Sequence, residues 1–131
     1  MTCDDGLVLV PDALRRVLFA NGLRGGDPVP VLKLFNPAGA GTWLISGMAA
    51  DGDTLSGLCD LGMGCPELGA VSLSELTSVK LPFGLTIERD VGFEGRAPLS
   101  RWLEIARRTG SIREAEAVVR RLPEINGTPA P

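Results

Sequence analysis

The chain has 131 residues, a net charge of −3 and a balance of 44% hydrophobic to 22% charged residues, which indicates one globular domain. A domain of this length buries enough surface to fold without a metal or a disulfide. The absence of histidine excludes histidine-based catalytic triads and dyads and any histidine-ligated metal site.

The N-terminal segment "MTCDDGLVLV" is acidic where a signal peptide would be basic, and its apolar run is short. No window of the sequence has the roughly 18 apolar residues that a membrane span requires. The three cysteines, Cys3, Cys59 and Cys65, are an odd number, unlike a secreted disulfide framework. We therefore expect a cytoplasmic protein with free thiols and no membrane partner.

The segment "VPDALRRVLFANG" predicts the first helix. Pro11 suits a first turn, and apolar residues then recur with helical spacing from Leu14 to Leu18. Gly22 is expected to take the left-handed conformation that ends the helix. The next segment, "VPVLKLFN", predicts a strand that is central or at an edge, because it is apolar on both faces but starts at Pro30.

Three short segments then alternate like strands: "TWLISGM", "TLSGLCDLG" and "ELGAVSL". The first places Trp43 and Ile45 on one face. The dipeptide Asp51-Gly52 separates the first two segments and is typical of a hairpin turn. This succession predicts an antiparallel meander.

The spacing of Ser72 and Glu75 is that of a capping box, so a short helix is predicted over residues 73–79. A turn and the segment "LTIERDVGF" follow, and two interpretations of Glu88, Arg89 and Asp90 stay open. An unbroken strand would point Arg89 into the core, where it would need a carboxylate partner. A bulge or turn would expose all three residues to water, and we prefer it because isolated buried charges are rare.

The C-terminal third predicts two helices. In "PLSRWLEIARRTG", Trp102 lies on an apolar stripe, and Gly110 ends the helix. "SIREAEAVVRRL" begins with a second capping box, Ser111 to Glu114, and Pro123 stops the helix. We expect Trp43 and Trp102 to anchor the core.

The fold class predicted from these elements is α+β. It has a mostly antiparallel meander sheet of four or five strands, with helices packed on one face and a C-terminal helical hairpin. Residues 1–122 are expected to form a single domain, and residues 123–131 a mobile tail.

No cofactor or metal site is predicted. Cys59 and Cys65 lack zinc-site spacing, and "DGDTLSGLCDLG" places Gly62 where a calcium loop needs glutamate. A carboxylate-dependent hydrolase is one alternative function. Turn carboxylates more commonly make local hydrogen bonds. The residues concerned are Asp51, Asp53, Asp60 and Glu67.

Nucleic-acid binding through the arginine-rich C-terminal helices is a second alternative. The segment "IARRTGSIREAEAVV" has part of a helix-turn-helix rhythm. However, Glu116 falls where such a unit needs a buried apolar residue, and the negative net charge opposes phosphate binding.

Three segments carry a family resemblance: "DPVPVLKLFNPAGAGTWLISG", "DGDTLSGLCDLGMGCPELGAVSLSEL" and "GLTIERDVGFEGRAPLS". In their order and residue sequence they resemble domain of unknown function 2958, a family of small proteins of plasmids, phages and conjugative elements. The resemblance covers about residues 10–105 and leaves 106–122 as a helical extension. The sequence departs from the family at Leu44, where an aromatic residue is expected. The resemblance implies a mobile-DNA context but no activity, because the family has no established catalytic residues to carry over.

We therefore expect a non-enzymatic, protein-binding accessory protein of a mobile genetic element. A counter-defence inhibitor of the anti-CRISPR or anti-restriction type fits this context, with a host nuclease or defence complex as its partner. Arginine pairs well with carboxylates at interfaces. The candidate interaction residues are Glu88, Arg89, Asp90, Arg101, Arg108, Arg113, Arg120 and Arg121.

Overall fold

The computed structural model describes residues 8–123, in which four α-helices surround one five-stranded sheet. The predicted tail, apart from Pro123, lies outside the described residues. The helices are α1 (Asp12–Arg24), α2 (Leu73–Ser78), α3 (Leu99–Thr109) and α4 (Ile112–Val119). The strands are β1 (Leu32–Phe35), β2 (Thr42–Met48), β3 (Thr54–Asp60), β4 (Glu67–Ser72) and β5 (Glu88–Arg89).

The strands form an antiparallel meander with the order β4-β3-β2-β1-β5, which confirms the predicted fold class. β1 lies inside the sheet, although the two residues of β5 cover only part of its outer side. The β2–β3 register shifts between Ile45 and Gly47, so one residue bulges there. β4 and β5 are the two edges of the sheet.

Helices cover both faces of the sheet, so the expectation that they cover one face is wrong. On one face, Leu18 of α1 packs into a core with Trp43 and Ile45. On the other face, Trp102 of α3 packs with Leu44. Every residue of β2 is buried because the strand is covered on both sides. Trp43 and Trp102 are 8% and 0% exposed, which confirms them as core anchors.

The first helix does not end at Gly22 as predicted. It continues to Arg24, and Gly25 ends it with φ 68°. A Cβ on Gly22 would collide with the main-chain oxygen of Met48 in β2. Gly22 therefore allows close approach between α1 and the sheet instead of capping the helix.

Both predicted capping serines begin a helix. The hydroxyl of Ser72 accepts from the amide of Glu75 at 3.2 Å, and the hydroxyl of Ser111 accepts from the amide of Glu114 at 3.1 Å. The predicted end of α3 is also confirmed, because Gly110 has φ 99°. These local signals set the start of α2, the end of α3 and the start of α4.

Candidate functional site: a charged pocket beside strand β5

The segment around Arg89 follows neither predicted interpretation fully. Glu88 and Arg89 form strand β5 and pair with Phe35 and Leu34 of β1, so the preferred turn interpretation is wrong for them. Arg89 is half-buried, and its Nε donates to the main-chain oxygen of Val8 at 3.3 Å, while no carboxylate of residues 8–123 pairs with it. The edge position of β5 allows this, because the guanidinium lies at the border of the sheet and not in the core.

A network of ion pairs links β1, α4 and the residue after β5. The Lys33 ammonium lies 2.7 Å from a carboxylate oxygen of Glu116 and 3.4 Å from one of Asp90. Arg120 extends the network at 3.5 Å from Glu116. The side chains of Lys33 and Glu116 are each only 12% exposed. This burial makes their pairing a structural requirement, because an unpaired buried charge is costly.

Next to this network is an open pocket of about 430 Å³. Arg113, in the first turn of α4, lies at its border and donates to the main-chain oxygen of Gly39 at 2.9 Å. The Lys33 ammonium is also 5.9 Å from the centre of the Phe35 ring. Three cations and one carboxylate line the pocket, together with apolar and hydroxyl groups. The lining residues are Lys33, Phe35, Thr42, Arg89, Asp90, Val91 and Arg113.

The pocket is suited to binding an anionic group. Lys33 is held by two carboxylates, whereas Arg89 and Arg113 have no carboxylate partner among residues 8–123. The hydroxyl and the carboxylate of the pocket lining already have polar partners. The Thr42 hydroxyl donates to the Ala40 carbonyl at 3.2 Å, and Asp90 accepts from the Gly92 amide at 3.0 Å while paired with Lys33.

The structure therefore brings together Arg89, Asp90 and Arg113 among the predicted interaction residues, with the exposed Glu88 beside them on β5. The other four predicted arginines do not line the pocket. Arg101 and Arg108 both pair with Glu104 on α3, at 3.0 and 3.2 Å. Arg120 belongs to the ion-pair network, and Arg121 is exposed after α4.

Sequence reasoning missed Lys33 and Glu116 as members of this site. Each carries a weak signal. Lys33 interrupts an otherwise apolar strand, and Glu116 interrupts the apolar pattern of its helix. Two opposite charges at positions expected to be apolar suggest a buried pair, but nothing local indicates that the two belong together.

The four loop carboxylates do not converge in one cleft. Asp51 and Asp53 lie at the start of β3, and Asp60 and Glu67 lie at its other end. Asp60 is buried and accepts from the amide of Ile112 at 2.8 Å. Amide and hydroxyl donors hold the pKa of the two turn carboxylates below its usual range. For Asp51 the Thr54 amide contributes most, and for Asp53 the Ser72 hydroxyl.

Between residues 8 and 123 no group of three or more Cys, Asp or Glu side chains has the arrangement of a metal site. Cys59 is half-buried and Cys65 is exposed, and both are free thiols. Burial raises the pKa of the Cys59 thiol. No helix in the described part of the chain is long and apolar enough to cross a membrane.

The chain belongs to the family described as Protein of unknown function (DUF2958), whose model matches residues 9–113. The match covers most of the chain. It extends past residue 105, where the resemblance was expected to end, into the first turn of α4. Searches of curated proteins and of solved structures found no match.

Proposed function

We propose that this protein is a non-enzymatic binding protein that captures an acidic segment of a protein partner in the charged pocket. One observation carries the proposal: Arg89 and Arg113, from two distant parts of the chain, face the same open pocket beside an aromatic ring. A carboxylate entering the pocket meets two guanidinium groups, each able to pair with it through two parallel hydrogen bonds.

The support of the pocket also favours binding. The Lys33–Glu116 pair fixes α4 against β1, and this places Arg113 opposite β5. The site is therefore preorganised, and less conformational entropy is lost when a partner binds. The pocket opens to solvent at the exposed Val91, which adds an apolar contact at its rim.

The resemblance to proteins of mobile elements gives the partner a context. In that context the protein acts as a counter-defence inhibitor, and the captured segment belongs to a host nuclease or defence complex. An inhibitor of this kind needs a binding surface and no catalytic group, which is consistent with the engaged state of Thr42 and Asp90.

We do not extend the proposal to nucleic acid, because the C-terminal arginines do not form a free basic stripe. Glu104 lies between Arg101 and Arg108, and Glu116 pairs with Arg120. The loop carboxylates likewise give no support to a two-carboxylate hydrolase. Asp51 accepts hydrogen bonds within its own turn and Asp53 accepts one from Ser72, while the buried Asp60 accepts from the Ile112 amide.

Affinity capture from the native host tests the proposal, followed by calorimetry with the purified partner. Arg113→Glu removes one cation of the pocket and should weaken binding at least about tenfold, since a charge-assisted pair across an interface is lost and a like charge is introduced. Arg16→Glu is the matched control, because Arg16 is an exposed arginine on α1. Equal binding by the two variants would contradict the proposed site.

The counter-defence role has its own test. If the captured partner is a nuclease, the wild-type protein should inhibit its cleavage of DNA in a purified assay, and Arg113→Glu should not. A partner outside the host's nuclease and defence systems would contradict the counter-defence role but not the proposed binding site.

A further inference from the structure

The strand β4 presents an open edge of the sheet. All six of its residues pair with β3, and no described residue pairs with its other side. The amide of Leu73 donates towards β3, to the main-chain oxygen of Asp53 at 2.8 Å. Because donors alternate along an antiparallel strand, the N–H and C=O groups of Leu68 and Ala70 point outward.

This edge lacks the usual protection against pairing. Natural edge strands carry a lysine, a proline or a bulge, or are covered by another element. β4 carries one charged side chain, Glu67 at its first position, but its sequence "ELGAVS" has no lysine or proline, its register with β3 is unbroken, and no other strand of residues 8–123 covers its outer side. Residues 67–70 are all exposed. The opposite edge, β5, is only two residues long and offers far less backbone to a partner.

An apolar groove of about 330 Å³ runs beside the free edge. Three large side chains line it, and each is more than half exposed: Leu61 is 62%, Met63 is 78% and Leu68 is 52% exposed. Gly69 and Ala70 form its floor along β4 and leave the backbone accessible. Exposed apolar surface next to unpaired backbone is typical of a peptide-binding edge.

The charges around the groove indicate which peptide fits. Between Lys33 and Lys80 the chain has five acidic residues and no basic one. Asp60 is buried, Asp53 is partly exposed, and the other three are exposed. Glu67 marks one end of β4. At the other end, Asp53 accepts hydrogen bonds from Ser72 and Ser74, and Glu75 lies exposed on α2.

We propose that β4 is a docking edge for an extended segment of a partner protein, with small or apolar residues in its middle and Lys or Arg at its ends. The segment adds a sixth strand to the sheet. This surface lies at the opposite edge from the charged pocket, so the inference does not depend on the function proposed above. A second copy of β4 is a poorer occupant, because it brings another acidic surface to an acidic edge.

Fluorescence anisotropy with the purified chain tests this inference. The probe is the labelled peptide Lys-Val-Ser-Val-Thr-Lys. One matched peptide has Glu in place of both Lys, and another is N-methylated at alternate amides. The basic peptide should bind at least about tenfold more tightly than either matched peptide, because one lacks the complementary charge and the other lacks the backbone donors.

Variants of Ala70 test the same inference independently. Ala70→Pro removes an outward amide that β3 does not use, so the sheet should still form while binding falls about tenfold. Ala70→Val keeps the amide and should bind like the wild type. Hydrogen exchange should show protection of the Leu68 and Ala70 amides when the basic peptide is bound.

Several results would overturn the inference: no binding of the basic peptide, equal binding of the N-methylated peptide, or protection at Arg89 and Arg113 instead of β4. Sedimentation velocity adds a fourth. If the wild-type chain self-associates and Ala70→Pro does not, the occupant of the edge is a second copy and the proposed partner is wrong.

Discussion

The buried pair of Lys33 and Glu116 gives the sharpest prediction of stability. Lys33→Met keeps the length of the apolar part of the side chain but removes its charge. Glu116, 12% exposed and 2.7 Å from the lysine, then loses its nearest cation. Breaking a buried ion pair from one side costs about 3–5 kcal/mol.

The remaining contacts place the expected loss at the lower end of that range. Glu116 keeps Arg120 at 3.5 Å as a second cation. The Arg120 side chain is 69% exposed, so it compensates the charge of Glu116 only partly. We therefore expect Lys33→Met to lose about 3 kcal/mol of unfolding free energy. For a chain of this length, that loss lowers the melting temperature by about 10 °C.

Urea unfolding followed by tryptophan fluorescence measures the loss, and Lys80→Met is the matched control at an exposed lysine. The double variant Lys33→Met/Glu116→Leu removes the more buried carboxylate together with the lysine and should regain part of the stability, while Asp90, 29% exposed, still lacks its cation. Unfolding of Lys33→Met like Lys80→Met would refute this account of the pair. So would a loss in the double variant equal to the sum of the losses of Lys33→Met and of Glu116→Leu measured alone.

Three further predictions concern the framework. Trp102→Ala should lower the free energy of unfolding by about 3–5 kcal/mol. Trp102→Phe should lower it less, mainly because the 2.8 Å hydrogen bond from the indole to the Gly95 carbonyl is lost. Equal losses for the two variants would contradict this. Gly22→Ala should destabilise by about 1–3 kcal/mol in a thermal melt, because its Cβ meets the Met48 carbonyl. The folded protein holds the pKa of the Asp53 carboxylate below that of an ordinary aspartate. The contribution of this carboxylate to the stability of the fold is therefore complete when the pH is above the ordinary aspartate pKa, and it is lost as the pH falls below about 4. Asp53→Asn should therefore show a shallower loss of stability in acid than the wild type, and an unchanged slope would contradict it.

Local sequence signals were sufficient where the structure depends on neighbours along the chain. Ser72 and Ser111 cap their helices, and Gly110 ends α3, because each acts within a few residues of its position. Alternation also predicted the meander, since side chains of a strand point to opposite faces in turn. These signals fix the elements and their order.

The site depends on contacts that no local pattern contains. Lys33 and Glu116 are 83 residues apart, and the packing of α4 on the sheet brings them together. Gly22 shows the same limit, because a helix-ending signal was overridden by the approach of Met48. Arg89 was expected either in water or with a carboxylate, whereas among residues 8–123 its Nε donates to the carbonyl of Val8. That contact could not be read from the parity of the strand.

The strand order separates two surfaces of opposite character. Strand β5, which carries Arg89 of the pocket, and the free edge of β4 lie four strand spacings apart, although the pocket lining reaches Thr42 on β2 and the groove lining reaches Cys59 on β3. At about 4.8 Å per spacing, this distance is roughly 19 Å. An extended segment paired along β4 runs parallel to the sheet edge and does not cross the sheet. The same short segment therefore cannot fill both surfaces, and a partner that uses both must supply two segments, one basic and one acidic.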